Sequence, residues 1–268
     1  MNLWGYRMAP VNVSDLAGVA AGLAGGLLSG LFGVGGGIVL VPLLALLLGL
    51  PQREAQGVTL AVLLLPIGLP AVLAYRRRVT LRWWLVAALV TGFLGGVSAG
   101  AEGAVRIDQR PLRALFALLV IAAALLVWRR GAPRPPTGVE DPVARRSDWN
   151  GLWIGAVGGV LAGLFGIGGG IVMVPLLVGA MRLDQHEAQA TSLAVMLPPV
   201  GLPGVVVYAH AQGTMPWALM AMVALGFAAG ALAGARLAVR TRTERLSRAF
   251  SIFLVAIAIG MAWKALRG

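Results

Sequence analysis

The sequence has no cysteine, two histidines and, among its 22 basic residues, a single lysine, Lys264. Without thiols there are no disulfides and no thiolate chemistry. The histidines, His186 and His210, have neither the number nor the spacing of a metal site, and no metal or cofactor is expected. Charge is scarce as well: Asp, Glu, Lys and Arg make up 12% of the chain, about half the usual share of a soluble domain. A soluble fold of 268 residues that is 59% hydrophobic would expose much of that surface, so soluble enzyme classes are excluded first.

What charge there is has one dominant sign, giving a net +12. Nucleic-acid binding would need these residues on a solvated face with aromatics to stack bases. They occur instead in short runs between long apolar blocks, which mark the cytoplasmic side of a membrane protein and its anionic lipid. The first apolar block follows Arg7 and lacks a clear cleavage site, so it reads as structure and not as a removable signal.

Five apolar stretches run at about 15–34, 36–50, 55–75, 82–101 and 112–128, and five more at about 150–167, 169–181, 187–208, 216–235 and 248–265. Several reach the ~20 residues that a helix needs to cross a bilayer. Between the two sets lies a segment with Pro133, Pro135, Pro136, Pro142 and dense charge. The expected organisation is a first membrane repeat at 1–128, a polar cytoplasmic linker at 129–148 and a second repeat at 149–268.

The two sets are copies of each other. Gly30-Leu-Phe-Gly-Val-Gly-Gly-Gly-Ile-Val-Leu-Val-Pro-Leu-Leu44 returns at Gly163 to Leu177 with two substitutions, at Val34/Ile167 and Leu40/Met173. An offset of 133 residues continues through Glu54/Glu187, Gln56/Gln189, Thr59/Ser192, Pro66/Pro199, Pro70/Pro203 and Tyr75/Tyr208. With one inserted residue it then pairs Trp83 with Trp217 and Gly92-Phe93 with Gly226-Phe227. This is an internal duplication.

Arginine placement bears on the orientation of the copies. If the two short segments before Pro51 return to their starting side, each half makes an odd number of crossings, and 15 of the 22 basic residues fall on one face. If they form one continuous crossing, the split is 12 against 10. The positive-inside rule favours the first case. The expected architecture is therefore an all-α integral membrane protein of two inverted repeats, each with a Gly-rich broken or re-entrant helical hairpin plus about three spanning helices. It would sit in the inner (plasma) membrane with both termini on the outer face.

Gly18, Gly22, Gly26 and Gly30 recur every fourth residue and read as a close-packing stripe. The runs at Gly33, Gly35, Gly36 and Gly37 and at Gly166, Gly168, Gly169 and Gly170 differ, because adjacent glycines make a bend and not a stripe. Irregular backbone at membrane depth is tolerated only where protein buries it or it lines a cavity. The half-helix after such a bend offers free N–H groups at its positive end, an anion site that needs no charged side chain. Tight packing is the simpler alternative reading.

Glu54 and Glu187 fall near helix starts, where a carboxylate complements the dipole; coupling to H⁺ or Na⁺ is the sharper alternative. Gln56, Thr59, Gln189, Thr191 and Ser192 lie one to two turns further in. They could bond a substrate oxyanion or merely a helix carbonyl. Pro42, Pro66, Pro70, Pro175, Pro199 and Pro203 are candidate hinges. Glu102 one turn from Arg106 reads as an interfacial ion pair, and Trp83, Trp84, Trp149, Trp153, Trp217 and Trp263 as interface anchors.

The duplicated Gly-Leu-Phe-Gly-[Val/Ile]-Gly-Gly-Gly-Ile-Val-x-Val-Pro-Leu-Leu, each copy followed by Ala-Gln-x-x-[Thr/Ser]-Leu, resembles the sulfite exporter TauE/SafE family. The resemblance implies a multi-pass inner-membrane permease for small sulfur-linked anions such as sulfite, sulfoacetate or related sulfonates and carboxylates. It puts the family's glycine-proline signature on Gly33, Gly35, Gly36, Gly37 and Pro42 and on Gly166, Gly168, Gly169, Gly170 and Pro175. Its polar signature falls on Gln56, Thr59, Gln189 and Ser192, and Val58 departs from Thr191 of the other copy. The expected function is a secondary transporter of a small anion working by alternating access. A passive anion channel and a non-transporting membrane scaffold are the alternatives. The expected partners are the anion and membrane lipids, and the sequence leaves oligomeric state open.

Overall fold

The computed structural model describes residues 13–32, 36–65, 72, 80–130, 148–183, 185–213, 216–238, 252–261 and 263. Among these there are helices and no strands. In chain order they are α1 (Val13–Phe32), α2 (Gly37–Leu47), α3 (Gln52–Val62), α4 (Trp83–Arg106), α5 (Gln109–Arg130), α6 (Asn150–Phe165), α7 (Gly170–Met181), α8 (Gln185–Val195), α9 (Leu202–Gln212), α10 (Trp217–Ala238) and α11 (Ile252–Met261). The linker other than Arg129, Arg130 and Asp148 lies outside the described residues, as do Gly33, Gly35, Pro66 and Pro70.

Glycine stripes decide which long helices pair. A Cβ at Gly22 or Gly26 of α1 would fall on the main chain of Val223 or Phe227 in α10, and one at Gly226, Gly230 or Gly234 on that of Val19, Leu23 or Leu27. The α4–α6 pair is built the same way, with Gly155, Gly159 and Gly163 against Leu89, Phe93 and Val97. Contacts advance together along both chains, so each pair is parallel. Without side chains between them the backbones touch, which supplies the dispersion energy that lipid cannot. Each pair joins the first helix of one half to the long helix that opens at Trp83 or its duplicate Trp217 in the other, α10 being the counterpart of α4.

Within each half the chain folds back. Gly25 of α1 lies against Leu40 of α2, and at the duplicated positions Gly158 of α6 lies against Met173 of α7. Arg82, just before α4, pairs with Asp148, just before α6. At the other end of α4, Arg53 donates through Nη2 to the Ile107 carbonyl at 2.5 Å, and Gln109 Oε1 accepts the Gln52 N–H at 3.0 Å. Gln212, the last residue of α9, reaches the Arg53 carbonyl at that same end.

The stretch read from sequence as one kinked segment at 187–208 is two helices. α8 stops at Val195, and α9 starts at Leu202 with Pro203 in its first turn. Pro198 and Pro199 in tandem lack the N–H groups a helix needs and push the residues before them out of the helical region. Pro203 has a pre-set φ suited to a first turn, so it starts a helix. Pro42 and Pro175 lie inside α2 and α7, which continue through them.

The outside of the bundle is apolar: Leu16, Leu118, Leu225, Leu232, Ile252 and Ile259 are all exposed, on a scale that marks a lipid-facing surface. By length and composition, Trp83–Arg106 and Trp217–Gly234 can each cross a membrane. Trp83, Trp84, Trp149, Trp153, Trp217 and Trp263 are exposed near helix ends, and Arg106 pairs with Glu102 at 3.3 Å on an exposed face.

Candidate functional site

The second glycine run begins where α6 ends. Gly166 caps the helix at φ +69° with its N–H on the Ala162 carbonyl at 2.7 Å, and Gly168 follows at φ +68°. Side chains rarely adopt that region, so these two positions require glycine. Gly169 and Gly36 occupy the N-cap positions of α7 and α2, where they offer no capping side chain. Each accepts from the residue four ahead, Met173 at 2.8 Å and Leu40 at 2.9 Å. Val39 and Val172 also reach these carbonyls, at 3.3 and 3.2 Å, and the N–H groups ahead of them in the first turn have no intrahelical partner.

The glycine-rich breaks of the two halves meet. A Cβ on Gly37 would strike the main chain of Ile167, and one on Gly166 would come within 2.7 Å of the Gln56 Cα in α3. Each break is also closed by an aromatic ring from the other half. Gly36 lies under Phe227 and beside Leu63, while Gly169 lies under Phe93 and beside Met196. These contacts repeat position for position under the duplication.

One face of α3 looks onto this junction. Gln52, Gln56, Thr59 and Leu63 follow the spacing i, i+4, i+7, i+11, which places them on a single helix face. Leu63 touches Gly36 and Gly168, and Gln56 touches Gly166. Gln52, Gln56 and Thr59 are wholly buried, yet Gln56 Nε2, Thr59 Oγ1 and both side-chain polar atoms of Gln52 have no hydrogen-bond partner. Buried polar groups left without a partner cost about 1–3 kcal/mol each, so four such atoms on one face are a costly arrangement unless something binds there.

In the second half, Thr191 and Ser192 are buried, and Ser192 Oγ lies beside Gly170 at the start of α7. Gln189 and Glu187 are half-buried, and Glu54 and Glu187 sit in the first turns of α3 and α8. Of the candidate hinges, Pro199 lies between α8 and α9.

Sequence reasoning passed over three side chains. Tyr208 is fully buried in α9, and its hydroxyl lies 2.8 Å from the Gly163 carbonyl and 2.9 Å from Gln56 Oε1. Both partners are acceptors, so the single hydroxyl proton is shared between an orphan carbonyl at the end of α6 and Gln56 Oε1. Gln52 and Arg53 are the others. Their signal was available: Tyr208 and Gln52 both recur in the duplication, as Tyr75 and Gln185.

Unpartnered amide and hydroxyl donors beside two helix starts suit a ligand with several acceptor oxygens and little bulk. The model of the sulfite exporter TauE/SafE family matches residues 18–261. A protein of Xylella fastidiosa named "Probable membrane transporter protein" is 29% identical over 87% of this chain and 89% of its own. Proteins with the same description from Methanocaldococcus jannaschii, 29% identical over 68% of this chain and 67% of its own, and Bacillus subtilis, 28% identical over 66% and 72%, are also similar. No solved structure matches. The chain belongs to the TauE/SafE sulfite exporter family of membrane transporters.

Proposed function

We propose that this transporter moves a small oxyanion, sulfur-containing as the family's name suggests, such as sulfite, sulfoacetate or a related sulfonate. The anion binds where the two glycine breaks meet. One observation carries the reading: wholly buried Gln56 and Thr59 hold donor atoms without partners on the α3 face that touches Gly166 and, through Leu63, Gly36 and Gly168. The anion would accept from these donors and from the first N–H groups of α2 and α7. No carboxylate is needed, and Glu54 and Glu187 remain as candidates for H⁺ or Na⁺ coupling.

Alternating access of two inverted halves fits the chain directions. α6 starts at the Arg82 end of α4 and runs beside it, towards the end where Arg53 meets Ile107. α1 folds back on α2, whose far end leads through Pro51 into α3 at that Arg53 end. α1 and its duplicate α6 therefore run opposite ways, which supports inverted repeats with a re-entrant pair in each half. The Arg82 end then matches the arginine-rich face, giving an inner membrane location with both termini outside. Tags on the termini test this orientation, and a cytoplasmic C-terminus would overturn it.

Flux of labelled sulfite, sulfoacetate and acetate into proteoliposomes, with and without a pH or sodium gradient, tests the function. Saturable uptake of one anion is expected, and replacing Gly36 or Gly169 by leucine should abolish it. Normal flux from either correctly inserted variant would sink the shared site, and flux indifferent to every imposed gradient would indicate a passive channel.

A further inference from the structure

The outer end of the α3 face carries an anomaly that the central site does not absorb. Gln52 is 0% exposed, and neither its amide oxygen nor its amide nitrogen has a partner. Beside it, the half-buried Arg53 spends Nη2 on the Ile107 carbonyl, while its buried Nε donates to nothing. Among the described residues no carboxylate pairs with this arginine; the neighbouring acids, Glu54 and Asp108, are not within bonding distance.

Buried charge in proteins is almost always paired. Arg53 is only half-buried and keeps part of its hydration, so the cost falls instead on its buried Nε and on the wholly buried amide of Gln52, donors that an anion supplied from outside would satisfy. Gln52 lies four residues from Gln56, about 6 Å along the helix, and on the same face. Gln212, one turn beyond Tyr208 on α9, reaches the Arg53 carbonyl at 3.4 Å. The orphaned donors thus form a track from the Arg53 end of the bundle to the glycine junction.

We infer that Arg53 and Gln52 form a capture site for a small oxyanion, one step outside the central site and at one end of the protein only. The inference deepens the transport reading by assigning substrate recruitment to a side. The duplicated positions hold Gln185 and His186, so the amide is repeated on the other side and the permanent charge is not. An arginine binds sulfite, sulfonate or carboxylate by charge-assisted hydrogen bonds whatever the pH. The consequence is a lower KM for anion arriving from the Arg53 end than from the opposite end.

Two sources share this chemistry, a free oxyanion and a lipid phosphate, and the test separates them. Thermal stabilisation of the purified full-length protein is measured in a phosphate-free maltoside detergent with graded sulfite or acetate, and separately with phosphatidylglycerol. Saturable stabilisation by a free anion is expected. R53Q should raise its midpoint about tenfold, the loss of one charge-assisted hydrogen bond, R53K less, and Q52L by a smaller factor still.

Uptake into oriented proteoliposomes provides the second readout. R53Q should raise KM from the Arg53 end and leave KM from the other end unchanged. If the wild type binds anions and R53Q binds them equally well, the capture site is wrong and the central site stands. If binding depends on Arg53 but the wild type carries no flux, the capture site stands and the transport reading falls. Stabilisation by phosphatidylglycerol alone would overturn the proposal in favour of a lipid contact.

Discussion

Two duplicated helices of eleven and twelve residues, α2 and α7, are buried very differently. In α2 the run Gly37–Pro42 with Leu44 and Ala45 is buried; in α7 only Met173, Leu177 and Met181 are. Their first eight residues, Gly-Ile-Val-Leu-Val-Pro-Leu-Leu and Gly-Ile-Val-Met-Val-Pro-Leu-Leu, differ by one side chain, so over that stretch the cause lies in what covers them; beyond it Ala45-Leu46-Leu47 corresponds to Val178-Gly179-Ala180. Gly37 is pressed by the Ile167 main chain and Leu46 reaches Gly260 of α11, whereas Gly170 meets only Ser192 Oγ at an ordinary 3.7 Å. A motif copied within a chain therefore need not have a copied environment. In the transport reading this inequality is what a single conformation with α2 enclosed and α7 more accessible would display.

The sharpest way to break the comparison is at its first residue. Gly37→Ala puts a methyl group into the Ile167 backbone, which side-chain motion cannot relieve. Gly170→Ala, at the duplicated position, adds a methyl group with room to spare. The expected cost of the first is about 3 kcal/mol or more, equivalent to a hundredfold or greater loss in a folded or competent population. The second should be close to wild type. Monodispersity after extraction and sulfite flux measure both, and equal tolerance would mean that the two breaks are interchangeable.

Accessibility sharpens the same contrast, and the absence of native cysteine makes the chain its own clean background. Val39→Cys and Val172→Cys are duplicated positions, wholly buried in α2 and half-buried in α7 respectively. A hydrophilic maleimide should modify position 172 about tenfold faster or more, since thiol reactivity follows exposure. Saturating anion should narrow the difference if the halves exchange roles. Equal rates in its absence would show that the asymmetry is not one of water access.

The glycine breaks and polar faces were legible because the duplicated motif isolates them: chance does not repeat three adjacent glycines before Ile-Val-x-Val-Pro. The partnership of α1 with α10 was not. Glycine stripes occur on α1, α4, α6 and α10, and any two can interdigitate on small-residue logic alone; the choice is made by connectivity and depth. The break between α8 and α9 was half legible, since the prolines were seen but taken for hinges in a continuous helix. Gln52 and Arg53 were missed because a polar pair at a segment boundary looks like an ordinary interface, and only burial without partners separates it from one.

Tyr208 supplies a smaller effect that tests how the halves are joined. Its one hydroxyl proton, from α9, is shared between the Gly163 carbonyl of the second half and Gln56 Oε1 of the first. Tyr208→Phe keeps the ring and its packing, and so isolates the hydrogen bonds. It should lower stability by about 1–3 kcal/mol, the cost of leaving buried polar groups unsatisfied. Because Gln56 is freed to turn, anion affinity should fall as well. Lost stability with unchanged affinity would assign Tyr208 to the end of α6 alone.

The smallest effects are expected at the two ends of α4, where the ion pairs differ in what they connect. Glu102 and Arg106 lie one turn apart on a single exposed helix face. Such a pair gains little Coulomb energy in water and gives up side-chain entropy to form, so Glu102→Gln should change stability by no more than about 0.5 kcal/mol. Arg82 and Asp148 are better shielded, at 21% and 32% side-chain exposure, and link the starts of α4 and α6 from different halves. Asp148→Asn should cost more, about 1 kcal/mol after allowance for solvent screening, with an effect that shrinks in high salt. Thermal unfolding of both variants at low and high ionic strength checks the order. If Glu102→Gln were the more damaging, contacts within one helix would outweigh those between halves, contrary to the main-chain packing of α4 on α6.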